Sequence, residues 1–201
     1  MHNRKILIIG EVYVDQHLDI IENGYSTSRL GGIFHAARSC DALNIEYALA
    51  YYAPDYLVKD VEKFGIDVLR ASSIFRLGKV DKAPNVMLIG QSDESGNQLY
   101  ENILGRQAEY VSVLPFIHVL DDFNPTDIII FPGRYGNAGI LSNLSNYEGK
   151  IHIDMNYDCD DILDLDTIKI QTVFLSTSST SFEEFFKEIS YDNLIKYFDK
   201  K

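Results

Sequence analysis

No apolar run in this sequence approaches the roughly 20 residues that a helix needs to cross a bilayer, so a membrane-spanning segment is not expected. The start, Met1-His2-Asn3-Arg4-Lys5, is basic. Only Ile6 to Gly10 separate it from Glu11, too short an apolar stretch for a secretory leader. Two cysteines, Cys40 and Cys159, lack metal-ligand spacing and read as reduced thiols, Cys40 packed on a helix. The cytoplasm is therefore the expected compartment. There is no Walker-type glycine loop, no nucleophile–base motif and no cysteine–histidine cluster. Basic residues are scarce: 18 against 30 acidic ones, a formal net charge of −12. Such a surface repels phosphate backbones and argues against a nucleic-acid partner.

What remains is ordinary in composition, 46% hydrophobic and 24% charged over 201 residues, enough for one α/β domain with a sizeable core. Apolar runs alternate with helical patterns. Lys5 to Gly10 reads as a buried strand, Gly31 to Asn44 as a helix opened by a glycine pair, and Glu46 to Ala53 as a second strand. Pro54 starts a helix that Gly65 is expected to stop, with Ile66 to Leu69 leading towards another strand. Asn85 to Gln91 and Gln98 to Leu104 flank the polar turn Ser92 to Asn97 and read as a β-hairpin. Further along, Val111 to Phe123 reads as helix, Asp127 to Phe131 as strand, Ala138 to Tyr147 as helix, and Lys150 to Asp154 and Gln171 to Leu175 as strands. Ser181 to Lys201 has the spacing of a long amphipathic helix. This alternation predicts a mostly parallel sheet with helices on both faces, the hairpin being an excursion from it.

In open α/β sheets ligands gather at the C-terminal ends of the strands. That rule selects Glu11, Tyr13 and Asp15 after the first strand, and Gly133, Arg134 and Tyr135 after the Asp127 strand. It also selects Asp154, Asn156 and Asp158 after the Lys150 strand. Gly31 and Gly32 open a helix whose free N–H groups can meet a ligand oxygen. Each has a plainer reading: Asp15 as a turn residue, the glycine pair as a tight turn, His35 as a packed or solvent-facing side chain. Arg134 pairs an anion or any nearby carboxylate, and Asp158-Cys159-Asp160-Asp161 reads as a solvated acidic loop rather than a metal site.

Taken in order, these pieces resemble the ribokinase-like (PfkB) carbohydrate kinases, from about Lys5 to the C-terminus. Ile6 to Asp15 (ILIIGEVYVD) resembles the family's opening strand, whose terminal aspartate, here Asp15, holds a sugar hydroxyl. Leu30 to Arg38 (LGGIFHAAR) resembles the glycine-glycine sugar signature, with Gly31 and Gly32 matching. Ala50 to Tyr56 (AYYAPDY), then Gly65-Ile66-Asp67, resembles the second strand and its G-I-D ending. Pro84 to Leu104 resembles strands of the lid, and Ile151 to Tyr157 (IHIDMNY) the D-x-N strand end on the path towards ATP. The resemblance implies one domain over 1–201, with lid elements at about 12–30 and 84–106. It implies a sugar or nucleoside held by Asp15, Tyr13, Gly31, Gly32, His35, Asn102 and Arg134, with Asp154 and Asn156 facing the nucleotide and no metal ligand. Tyr13 and His35 stand where the family usually carries asparagines. Ser176 to Thr180 lacks the family's N-x-x-E, and no G-A-G-D motif occurs in the 201 residues. The resemblance thus implies a substrate-binding portion that does not transfer phosphate alone. ATP and Mg would enter with a complementary C-terminal half, and a homodimer through the lid or a partner subunit would cover the sheet. The other implied reading is a degenerate kinase that senses a ligand or scaffolds a partner without catalysis.

Overall fold

After its lysine, Lys5-Ile6-Leu7-Ile8-Ile9 offers no polar side chain to a solvent face, so it is stable only when covered on both sides. The computed structural model, which describes residues 4–17, 27–92, 98–103, 108–131, 138–155 and 169–175, places it at the centre of a seven-stranded sheet. The strands of that sheet are β1 (Lys5–Glu11), β4 (Glu46–Ala53), β5 (Ser73–Asp81), β8 (Glu109–Ser112), β9 (Asp127–Ile130), β10 (Lys150–Met155) and β11 (Ile170–Leu175). Their spatial order is β11-β10-β9-β1-β4-β5-β8, all parallel except β8, which runs antiparallel to β5. A second sheet holds β2 (Val14–His17), β3 (Thr27–Leu30), β6 (Val86–Ser92) and β7 (Gln98–Ile103) in the order β3-β2-β6-β7.

Alternation along β1 divides the core in two. Ile6 and Ile8, with Leu49 and Tyr51, are covered by α1 (Phe34–Ala42) through Phe34, Ala37 and Cys40, and by Val61 of α2 (Val58–Lys63). Leu7 and Ile9, with Ile128 and Ile130, are covered by α3 (Phe116–Phe123) and α4 (Ala138–Leu144). Helices therefore lie on both faces of a mostly parallel sheet, as the alternating pattern predicts. The hairpin is present too: β6 and β7 pair antiparallel. No helix among the described residues is long and apolar enough to cross a membrane. The helix expected over Ser181 to Lys201 lies outside the described residues.

Four local expectations are corrected. The opening strand does not reach Asp15: after Glu11 the chain leaves the main sheet, and Asp15 sits on β2 of the small sheet. The segment from Val111 is not helical throughout. Val111 and Ser112 pair with β5, and α3 begins only after Pro115, whose missing N–H suits a helix start. Gly65 does not stop its helix. A π-turn, Phe64–Val68, runs through it, and Leu69 N–H donates to Phe64 O at 3.0 Å. Gly65 is there for closeness, since a Cβ would overlap the Ile74 side chain. The strand towards which Ile66 to Leu69 leads begins at Ser73. The helix expected to Tyr147 ends at Leu144.

The two-sided core makes a clear prediction. Leu7→Ala, at a fully buried position, lowers stability by about 2–5 kcal/mol. Ile117→Ala, on the outward side of α3, changes it by no more than about 0.5 kcal/mol. Urea denaturation of the two variants checks both.

Candidate functional site

The chain crosses from the main sheet to the small one between Glu11 and Val14. Val12 N–H donates to Tyr52 O at 3.0 Å, and Val14 N–H to Asn85 O at 2.8 Å. Glu11, at the end of β1, is almost entirely buried. Its carboxylate accepts hydrogen bonds from the Tyr13 hydroxyl at 2.7 Å, the Tyr110 hydroxyl at 2.9 Å and the Asn85 side-chain amide at 3.3 Å. The same amide donates to Val12 O at 3.1 Å. Asn85 takes a left-handed conformation, φ 48°, which asparagine tolerates better than most residues. Burial first, and the Glu11 carboxylate second, push the neighbouring Tyr52 phenol above its usual range.

Asp15 lies one turn of chain beyond this cluster and is also buried, 3% exposed. His35 Nε2 stands 3.0 Å from Asp15 Oδ2, and Arg29 Nε stands 3.6 Å from the same oxygen. Both are ion-pair distances, yet Oδ2 receives no aligned hydrogen bond. A buried carboxylate oxygen in that state retains capacity to accept a ligand's O–H or N–H. The carboxylate packs so closely on Gly31 that a Cβ there would overlap it. Gly32 has φ 60°, and a Cβ on it would overlap the carbonyl oxygen of Glu11. Neither glycine is merely a helix breaker: one makes room for a carboxylate, the other for the end of β1. Gly31 N–H donates to Tyr13 O at 2.8 Å and Ile33 N–H to Glu11 O at 3.1 Å, locking the opening of α1 against the β1 end.

Asp15 from β2, His35 from α1, and Tyr13, Gly31 and Gly32 from the connections before those elements thus come together. Asn102 lies two strands away on one rung of the small sheet, Arg29–Asp15–Met87–Asn102 in backbone register. Asp154 lies near the C-terminal end of β10, two strands from β1. Desolvation raises its carboxyl above the usual carboxylate range. Arg134 and Asn156 lie outside the described residues, as do Gly133, Tyr135 and Asp158 to Asp161. Among the described residues no group of histidine, cysteine and carboxylate side chains is placed to hold a metal ion.

Sequence reasoning missed Arg29, Asn85 and Tyr110. Arg29 is brought to Asp15 by antiparallel pairing of β2 with β3, a register that spacing along the chain does not disclose. Tyr110 reaches Glu11 across 99 positions. Asn85 carried one signal: it follows Pro84 at the mouth of a predicted strand, a turn position.

No protein-family model matches the sequence, and no curated protein matches it. Solved structures do. A PfkB family carbohydrate kinase from Listeria grayi superposes with a TM-score of 0.62 at 13% identity, over 98% of this chain and 68% of that one. A ribokinase from Giardia lamblia gives 0.60 at 15% identity, over 83% and 56%. A microbiome-derived acarbose kinase gives 0.59 at 12%, over 92% and 66%. The fold is that of the PfkB carbohydrate kinases, and this chain spans between 56% and 68% of the length of these three.

Two outcomes follow from the geometry. Asn85→Ala removes a buried donor from Glu11 and from Val12 O, and lowers stability by about 1–3 kcal/mol in urea denaturation. For Asp154 the raised carboxyl means that the folded state holds its proton more tightly than the unfolded chain. Stability is therefore lost as pH rises from the ordinary carboxylate range through the raised value, and the loss persists at neutrality. Asp154→Asn accordingly raises the melting temperature at about pH 7 and has a smaller effect at about pH 4.

Proposed function

We propose that this chain, with its PfkB carbohydrate-kinase fold, is the part of such a kinase that recognises a sugar or nucleoside. The observation that carries the reading is the Asp15 carboxylate: buried, flanked by His35 and Arg29, and with one oxygen that receives no aligned hydrogen bond. A sugar hydroxyl is a donor suited to such an acceptor. Gly31 and Gly32 let the backbone approach the same ligand without a side chain in the way. Tyr13, held by Glu11, offers an aromatic ring beside the polar group, a combination suited to a sugar face or a base. Asn102 and Arg134 complete the proposed substrate set, and the sheet of β2, β3, β6 and β7 is the proposed lid.

Transfer of phosphate needs more than this. It depends on positioning and on electrostatic stabilisation of the transferring group. The 201 residues contain no G-A-G-D motif, and Ser176 to Thr180 has neither the asparagine nor the glutamate of N-x-x-E. In this reading ATP and Mg bind with a complementary half, and Asp154 and Asn156 face them from the end of β10. The small sheet ends in β3 and β7, and edge strands pair readily with other chains, which supports association through the lid. The composition of Ser176 to Thr180 also favours a second reading, a kinase-derived protein that binds its ligand and signals or scaffolds without catalysis.

A thermal-shift screen with sugars, nucleosides and ATP-Mg tests the proposal, since a ligand that binds only the folded state raises the melting temperature. The expected result is a shift with a sugar or nucleoside, none with ATP-Mg, and loss of the shift in a folded Asp15→Ala variant. An undiminished shift in Asp15→Ala removes Asp15 from the site. A shift with ATP-Mg alone overturns the assignment.

A further inference from the structure

A cavity of about 430 Å³ opens beside the candidate site, where β2 and β3 pass over α1, α2 and the π-turn. That volume is within the range of small-molecule sites. Val14 and Leu30 are register partners, as are Asp15 and Arg29 on the next rung. Side chains alternate along a strand, so Val14 and Leu30 belong to the face of the small sheet opposite Asp15. They pack on the core beneath α1, and both line the cavity. Arg29, the register partner of Asp15, also lines the cavity, so the cavity adjoins the Asp15 cluster and shares that one residue with it.

Its charge runs against that of the whole chain. The molecule carries 30 acidic and 18 basic residues, yet the lining has three cations, Arg29, Arg38 and Lys63, and one anion, Asp60. One of the three, Arg29, already faces the Asp15 carboxylate at 3.6 Å, which leaves Arg38 and Lys63 against Asp60. Arg38 is held rather than free-swinging. Its Nη2 donates to Leu30 O at 2.7 Å, and its guanidinium carbon lies 5.7 Å from the Phe64 ring centroid. Its other terminal nitrogen, Nη1, is buried and has no hydrogen-bond partner. An orphaned, buried guanidinium N–H is costly unless an acceptor meets it. Desolvation, and then the neighbouring Arg29, lower the Arg38 pKa, whereas Asp15 acts in the opposite sense. Arg29 and Arg38 thus repel each other, and an anion placed beside them relieves that repulsion. Phe64 belongs to the π-turn, an irregularity often found at functional positions.

We propose that this cavity is a second binding site, for a small organic phosphate with an apolar body. A phosphate monoester offers three acceptor oxygens to the Arg38 and Lys63 donors, where a monocarboxylate offers two. Arg38 supplies an N–H of fixed geometry, Lys63 an adaptable ammonium, and the Leu57 and Phe64 side chains receive the apolar portion. Arg29 belongs to both sites: it lines the cavity and stands 3.6 Å from Asp15 Oδ2. Occupancy of one site therefore alters the electrostatics of the other.

Isothermal titration of the full 201-residue chain with phenyl phosphate, benzoate and inorganic phosphate tests the assignment. Phenyl phosphate is expected to bind about tenfold or more tighter than either of the others. Arg38→Gln and Lys63→Gln are each expected to weaken it about tenfold, the loss of one charge-assisted hydrogen bond. Should Arg38→Gln fail to fold, Lys63→Gln at an exposed position decides alone. Asp15→Ala is expected to leave phenyl phosphate affinity undiminished, because that carboxylate is outside the cavity. Absence of heat with all three probes at millimolar concentration overturns the proposal. So does unchanged affinity in Lys63→Gln. Loss of phenyl phosphate binding in Asp15→Ala also overturns it, by placing the anion at the first site. A negative sugar screen has no bearing on it, so the two proposals fail separately.

Discussion

The carboxylate of Glu11 is buried where the two sheets meet, and a buried carboxylate without donors costs several kcal/mol. Three donors converge on it: Tyr13 from the crossing segment, Asn85 from the mouth of the small sheet's hairpin and Tyr110 from the edge strand β8. These come from parts of the chain as distant as 99 positions. Withdrawing any one of them leaves a buried acceptor with one donor fewer. The cluster therefore fixes the angle at which the chain leaves β1 and so the placement of Asp15, four residues on. It also fixes where β6 starts, and hence the rung on which Asp15 meets Met87.

The site inherits its geometry from that crossing. Gly32 can approach the Glu11 carbonyl only without a Cβ, and Gly31 can accept the Asp15 carboxylate only on the same terms. Once they have closed, the first turn of α1 delivers His35 to Asp15, while strand pairing delivers Arg29. Two positive-capable groups beside one buried carboxylate keep it polar without consuming its hydrogen-bonding capacity. The two buried carboxylates differ in their surroundings: Glu11 accepts from three donors, whereas Asp15 Oδ2 is neighboured by charge and receives no aligned hydrogen bond.

The same strands that carry Asp15 on one face carry Val14 and Leu30 on the other, over a cavity whose cations have no matching anion of their own number. In the proposed reading, the small sheet carries a ligand-binding group on one face and an anion-binding cavity on the other. Arg29, common to both, is the physical link.

Local signals in the sequence carry the hydrophobic architecture. Unbroken apolar runs at Ile6–Ile9 and Ile128–Ile130 determine buried parallel strands, and the spacing of Phe34, Ala37 and Cys40 determines a covering helix. The glycine pair was legible as the opening of α1, whereas Asp15, expected to close the first strand, lies within β2. The failures were contextual. Gly65 reads as a stop by propensity, but packing against Ile74 carries the helix through it as a π-turn. Val111 reads as helical by spacing, but pairing with β5 claims it for the sheet. Tertiary structure alone decided that Arg29, Asn85 and Tyr110 belong beside Asp15 and Glu11, and that Arg38 and Lys63 share a cavity. Those meetings depend on strand register and on the crossing between sheets, and no periodicity along a chain encodes contacts made across dozens of residues.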